Sequence, residues 1–113
     1  MNKVILITGT STGFGRTAAE TLAQRGYRVL ATMRDISGRN AATSETLRSL
    51  ANREGWNLDV LELDVTNDVS VSQAVQQALD LAGRIDVVIN NAGIAGTAGG
   101  NRSLHGRAIS ASA

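Results

Sequence analysis

Thr8-Gly9-Thr10-Ser11-Thr12-Gly13-Phe14-Gly15 follows directly on the apolar run Lys3 to Thr8 and opens into a segment whose apolar residues, Phe14, Ala18 and Leu22, recur at helical spacing. A strand that turns into a helix through three glycines has a definite physical meaning. Side chains at Gly9 or Gly13 would stand between the backbone and an approaching pyrophosphate, and Gly15 lets the helix pack tightly against the strand. The unpaired amides and partial positive charge at the helix start favour phosphate, and Ser11 and Thr12 can add hydroxyl donors. A tight turn that merely uses glycine is the plainer alternative. Three glycines in this strand-to-helix setting favour a phosphate cradle built from Gly9, Ser11, Thr12, Gly13, Phe14 and Gly15.

Outward from this loop the pattern repeats. Three more short runs, Arg28 to Thr32, Leu58 to Leu63 and Ile85 to Ile89, read as strands. Between them, Leu47, Leu50 and Ala51 mark a helix within Asn40 to Glu54, and Val71, Val75, Ala78, Leu79 and Ala82 mark another. Gly26, Gly55 and Gly83 follow the three helices, where a left-handed residue commonly ends one. Asn67 and Asp68 suit the start of the third helix as N-cap and first-turn acid. Strands that are apolar almost throughout and separated by helices predict an α/β fold, a three-layer open parallel sheet of Rossmann type buried on both faces. Right-handed crossovers, with the glycine loop after the first strand, suggest the order 3-2-1-4 by analogy.

Composition narrows the function. With 113 residues, 42% hydrophobic and 19% charged, the chain can form one domain and not two. A net charge of +1 without a basic run argues against nucleic acid as a partner. There is no cysteine and a single His105, so neither a disulfide framework nor a zinc cluster is expected. No apolar stretch approaches membrane-spanning length, and Val4 to Ile7 is far shorter than a signal-peptide core. A cytoplasmic, soluble protein is the expectation.

The loop Thr8 to Gly15 matches TGxxxGxG, the glycine motif of the short-chain dehydrogenase/reductase family, at every fixed position, and Asn90-Asn91-Ala92-Gly93 resembles that family's NNAG element at the expected separation. The resemblance covers about residues 1 to 98. It implies that Asp64 and Val65, at the end of the third strand, meet the adenine of a dinucleotide, the carboxylate accepting from the exocyclic amine; a turn acid at a strand end is the simpler alternative. It further implies that Asn91, Ala92 and Gly93 line the cofactor, while Asn90 braces the sheet.

Members of the family that prefer NAD place an acid at the end of the second strand, where it accepts from the ribose hydroxyls and repels a 2′-phosphate. Met33 holds that position here, and Arg34 follows. A guanidinium at residue 34 can pair with a 2′-phosphate by charge-assisted, fork-shaped hydrogen bonds, so NADP(H) is preferred, with NAD(H) retained because a shifted turn could bring Asp35 into the acid's place. Met33 also argues against a Rossmann-like methyltransferase.

The resemblance implies catalysis by a Tyr followed four residues later by Lys, with an upstream Ser. The one tyrosine, Tyr27, has Ala31 four residues on, and the one lysine is Lys3; no catalytic residue is assigned. Residues 1–93 are therefore read as a partial dinucleotide-binding domain and 94–113 as a Gly/Ala/Ser-rich tail expected to be poorly ordered, with Ser103, Ser110, Ser112 and His105 as solvated tail residues. The loss of pattern after residue 98 suggests a frameshift or premature end. In such a fragment the fourth strand would expose an apolar edge open to association, and the helices that make the family's usual oligomer contacts would be absent. Three readings remain open: a binding module without catalysis, the N-terminal part of a reductase completed elsewhere, and a non-functional remnant.

Overall fold

The computed structural model describes residues 3–91. Seven elements follow one another: β1 (Val4–Ile7), α1 (Gly13–Gln24), β2 (Arg28–Met33), α2 (Ala41–Glu54), β3 (Leu58–Glu62), α3 (Asp68–Ala82) and β4 (Val87–Ile89). All strand pairs are parallel, and the order across the sheet is β3-β2-β1-β4, as the sequence suggested. Strand runs are slightly shorter than their apolar stretches, except that β2 extends one residue further to take in Met33.

Burial explains the layers. Alternate residues of each strand point to opposite faces, and the core divides accordingly. Ile5, Ile7, Val29, Ala31, Met33, Leu58 and Val60 meet Ala19 and Ala23 of α1 and Leu47 and Ala51 of α2 on one face. Val4, Leu6, Leu30 and Leu61 meet Val71, Ala74 and Ala78 of α3 on the other. A strand buried on both faces cannot alternate apolar with polar, which is why β1 reads VILI.

The buried line of α1 differs from the expected one by a residue. Gly15, Ala19 and Ala23 face the sheet, whereas Phe14 is 75% exposed and Ala18 and Leu22 lie partly buried beside the core. Small residues on the contact line let the helix axis approach the strands more closely than a line through Phe14 would. The same preference recurs on α3, where Ala74 is fully buried and Leu79 is 40% exposed.

Helix ends follow the glycine punctuation. Gly55 and Gly83 are left-handed C-caps with φ of 72° and 83°. At the start of α3 the Asn67 carboxamide accepts from the amides of Val69 (2.9 Å) and Ser70 (3.1 Å). The two outer ends of β1 and β4 are latched by Asp86, whose amide donates to the Val4 carbonyl at 2.9 Å and whose carboxylate accepts from the Val4 amide at 2.8 Å. Across β2 and β3, Arg28 pairs with Asp59 at 2.6 Å.

Replacing Asn67 removes the acceptor for two otherwise unpaired amides. Asn67→Ala is expected to lower stability by about 1 kcal/mol, read as a reduced urea midpoint with an unchanged slope.

Candidate functional site

The site lies at the C-terminal ends of β1, β2, β3 and β4, where Thr8-to-Gly15, Arg34, Asp64 and Asn91 come together around the sheet's end. Its floor is a polar net that begins where the apolar strands stop. Thr8, Thr10 and Thr32 are each 0% exposed. The Thr10 amide and hydroxyl both donate to the Thr32 carbonyl at 3.0 Å, the Thr32 hydroxyl donates to the Ile7 carbonyl at 2.8 Å, and the Thr8 amide donates to Ile89 at 3.0 Å. Buried hydroxyls of this kind fix the loop only because each finds a partner. Sequence reading passed over Thr10 and Thr32 as anchors; a lone threonine inside an otherwise apolar strand was the available signal.

Above the floor, the glycines take different roles. Gly9 and Gly13 have φ of 67° and 58°, the left-handed region that other L residues enter at a cost. A Cβ on Gly13 would meet nothing within 4 Å, while one on Gly15 would lie 2.1 Å from the Gly9 carbonyl oxygen and 2.7 Å from the Asn91 carboxamide nitrogen. Residue 13 therefore borders open space and residue 15 is a contact point between helix and loop.

The two ends of the first and third helices contrast. At α1 the N-cap Thr12 is extended, φ −147° and ψ 171°, and makes no side-chain cap, whereas α3 is capped by Asn67. No acid stands in the first turn of α1. Among the described residues the hydroxyls of Ser11 and Thr12 have no hydrogen-bond partner, and Phe14 projects into solvent at 75% exposure. These amides and hydroxyls fit an anionic diester, and the open space at Gly13 admits it.

Asn90 and Asn91 both brace the loop. The Thr8 hydroxyl donates to the Asn90 carboxamide oxygen at 3.2 Å and accepts from the Asn91 amide at 2.8 Å; the Asn91 side chain donates to the Gly9 carbonyl at 3.2 Å. Asn91, expected to line a cofactor, is thus tied to the glycine loop through its carboxamide. Ala92, Gly93 and the whole 94–113 tail lie outside the described residues.

On the opposite flank, Met33 is 1% exposed within the core, and Arg34 is the first exposed residue after β2. The Arg34 guanidinium makes no ion pair or hydrogen bond with another described residue. The neighbouring Asp35 carboxylate accepts from the Arg39 amide at 2.9 Å, inside the turn that leads to α2. At the end of β3, Val65 is 6% exposed, with its side chain in the α3 core. Asp64 accepts through one oxygen from the Thr66 hydroxyl (2.6 Å) and amide (3.0 Å). Those two donors, the hydroxyl foremost, hold its carboxyl below the ordinary 3.8; partial burial opposes them, and the Arg34 charge adds a further lowering.

Two outcomes follow. Gly15→Ala must displace either loop or helix, since the obstructing atom is backbone; a loss of about 1–3 kcal/mol is expected in thermal unfolding. Because the folded value for Asp64 is lowered, its stabilisation is in place above 3.8 and is lost as pH falls through the folded value. Thr66→Val is expected to raise that folded value, as followed by carbon NMR of the Asp64 carboxyl.

Comparison with known proteins agrees with this geometry. Residues 3–109 match the short chain dehydrogenase family, further along the chain than the motifs alone carried the resemblance. Similar proteins include a 3-ketodihydrosphingosine reductase of Bacteroides thetaiotaomicron, 40% identical over 92 residues, which make up 81% of this chain and 29% of the relative. A 3-oxoacyl-acyl-carrier-protein reductase of Escherichia coli is 38% identical over 93 residues, 81% of this chain and 34% of the relative. The chain therefore spans about a third of the length of these relatives. Among solved structures, an actinorhodin polyketide ketoreductase with NADPH superposes with a TM-score of 0.69 at 27% identity, covering 80% of this chain and 33% of that one. On its glycine loop, strand order and sequence match together, the chain belongs to the short-chain dehydrogenase/reductase family.

Proposed function

We propose that this chain binds NADP(H) in preference to NAD(H), as the cofactor-holding portion of an oxidoreductase acting on a carbonyl or alcohol. The observation that carries the reading is the exposed guanidinium of Arg34, without an ion pair or hydrogen bond among the described residues, beside a buried Met33. An acid at the end of β2 would accept from the ribose hydroxyls, whereas Met33 can do neither that nor repel a phosphate. Asp35, the other candidate acid, has its carboxylate on the Arg39 amide. The amides at the start of α1, with Ser11 and Thr12, suit the pyrophosphate. Asp64 suits the adenine amine, since Thr66 donates to one of its carboxylate oxygens and, among the described residues, leaves the other to accept. Val65, its side chain committed to the core, can meet the adenine only through its main chain.

The bound nicotinamide would supply the hydride. This chain's residues hold and orient the cofactor, and none of them is assigned to proton transfer. Tyr27 is half-buried against the α1 and α2 core, and Lys3 is exposed. Binding without turnover is therefore expected of the chain alone. A reductase formed with further residues remains the second reading, favoured by relatives more than twice as long. Sheet-edge association at β4 and a cytoplasmic location are compatible with either reading. Among the described residues, no helix is long and apolar enough to cross a membrane.

Calorimetric titration tests the reading directly. NADPH is expected to bind more tightly than NADH, and Arg34→Ala to weaken NADPH by roughly 10- to 100-fold, the worth of one or two charge-assisted hydrogen bonds, with NADH little changed. A folded chain that binds neither dinucleotide would overturn the proposal. NADPH oxidation by the isolated chain with any carbonyl would overturn the assignment of no catalytic residue.

A further inference from the structure

Asn40 occupies the N-cap position of α2, yet its side chain makes no cap to that helix. Asparagine is favoured at this position because its oxygen can accept from the first-turn amides, as Asn67 does on α3. The Asn40 carboxamide instead reaches back six residues and donates to the Arg34 carbonyl at 2.6 Å. A second unusual feature lies in the same turn. Asp35 has φ 49°, the one non-glycine residue at positive φ among those described. Its carbonyl accepts from the amides of Gly38 (3.2 Å) and Asn40 (3.0 Å), and its carboxylate from Arg39 (2.9 Å).

We propose that Asn40 is a positioning residue for cofactor selection: its bond to the Arg34 carbonyl, closing a turn that holds the Asp35 carboxylate on the Arg39 amide, presents Arg34 to the 2′-phosphate. This rests on the reading of Arg34 given above. The two neighbours Arg34 and Asp35 carry opposite charges, and which of them faces the ribose decides the ligand. A carboxylate turned outward would accept from the ribose hydroxyls or neutralise the guanidinium, and in either role it favours NAD(H). Backbone geometry settles the choice. With its carbonyl clamped and a left-handed residue next in the chain, Arg34 has a fixed Cα–Cβ direction, so less side-chain freedom is lost when the guanidinium engages a phosphate.

Gly38 completes the device. A Cβ there would lie 2.5 Å and 2.8 Å from the two carboxyl oxygens of Asp35. The absence of a side chain at residue 38 leaves the space into which the acid folds. Because those oxygens end a short movable side chain, Gly38→Ala would push the carboxylate out while leaving the helix and sheet in place.

The test uses the full chain and four proteins, wild type, Asn40→Ala, Gly38→Ala and Arg34→Ala with Asn40→Ala, each titrated with NADPH and with NADH. Asn40→Ala is expected to weaken NADPH about 3- to 10-fold, the scale of one neutral hydrogen bond, with NADH unchanged. Gly38→Ala is expected to shift the NADPH-to-NADH ratio in the same direction. In the Arg34→Ala background the Asn40 change should no longer affect NADPH. Equal weakening of both dinucleotides would show a merely structural role and overturn the proposal, as would an unchanged ratio in both single variants. A wild type that prefers NADPH alongside unchanged variants refutes this inference alone. A wild type that binds neither dinucleotide, or prefers NADH, refutes the Arg34 reading and this inference with it. Should Asn40→Ala fail to fold by circular dichroism, Gly38→Ala decides the matter alone.

Discussion

Helix α1 sits on the carbonyl oxygen of Gly9, and the contact exists only because residue 15 has no Cβ. That approach fixes where the helix's first amides lie relative to the end of β1, and hence where an anion can rest. The neighbouring interactions serve the same contact. Asn91 donates to the Gly9 carbonyl from the β4 side, and Thr10 is tied to β2 through Thr32. The loop is thereby held from both adjacent strands, while its upper surface, at Gly13, stays open. A ligand site needs such an arrangement, in which the residues beneath are over-determined and those above are not.

Electrostatics follows from the same geometry. Every helix start carries unpaired amides, and a protein can satisfy them from its own side chains or leave them for a ligand. In α3 the Asn67 carboxamide takes the amides of Val69 and Ser70, with Asp68 in the first turn. In α1 neither a capping side chain nor an acid is present. The two helices are of similar length, 12 and 15 residues, so they differ less in dipole than in what surrounds its positive end. In the proposed reading, the pyrophosphate of a dinucleotide would supply to α1 what Asn67 and Asp68 supply to α3.

Much of the fold was legible because the sequence repeats one unit. Each apolar run became a strand, a glycine capped α2 and α3 and followed the Arg25 cap of α1, and the glycine loop placed the switch from strand to helix at residue 13. Less legible was which side of each helix faces the sheet. Phe14 and Leu79 are large and apolar and fit a helical period, yet Ala19, Ala23 and Ala74 lie against the strands, because closeness of approach rewards small residues where helix and sheet meet. The site divided in the same way. Residues 9, 13 and 15 were readable because glycine has few other uses at such spacing, whereas Asn91 and Thr10 act through partners far away in sequence, with Asn91 and Gly9 82 residues apart. No local pattern encodes such a pairing. The turn after β2 lay between these cases: its charges were visible in the sequence, but the direction of Asp35 depends on a positive φ that only the folded turn reveals.

The two outer strands of the described sheet show how differently the chain treats its edges. Register pairs Val60 with Ala31, and hydrogen bonds from Val29 to Asn57 and from Leu63 to Met33 assign the odd-numbered residues of β3 to the inner ladder, so Val60 turns its carbonyl outward. The Arg48 guanidinium donates to that carbonyl at 3.3 Å, and Glu62 stands exposed two residues on. Charge at an edge discourages another strand from adding there. Strand β4 carries only Val87, Val88 and Ile89, all half-buried, with no charged side chain within the strand. Apolar strand surface of this kind is stabilised by further chain laid beside it. Further chain laid beside the described sheet would therefore be favoured at β4, across β1 and β2 from the charged edge at β3.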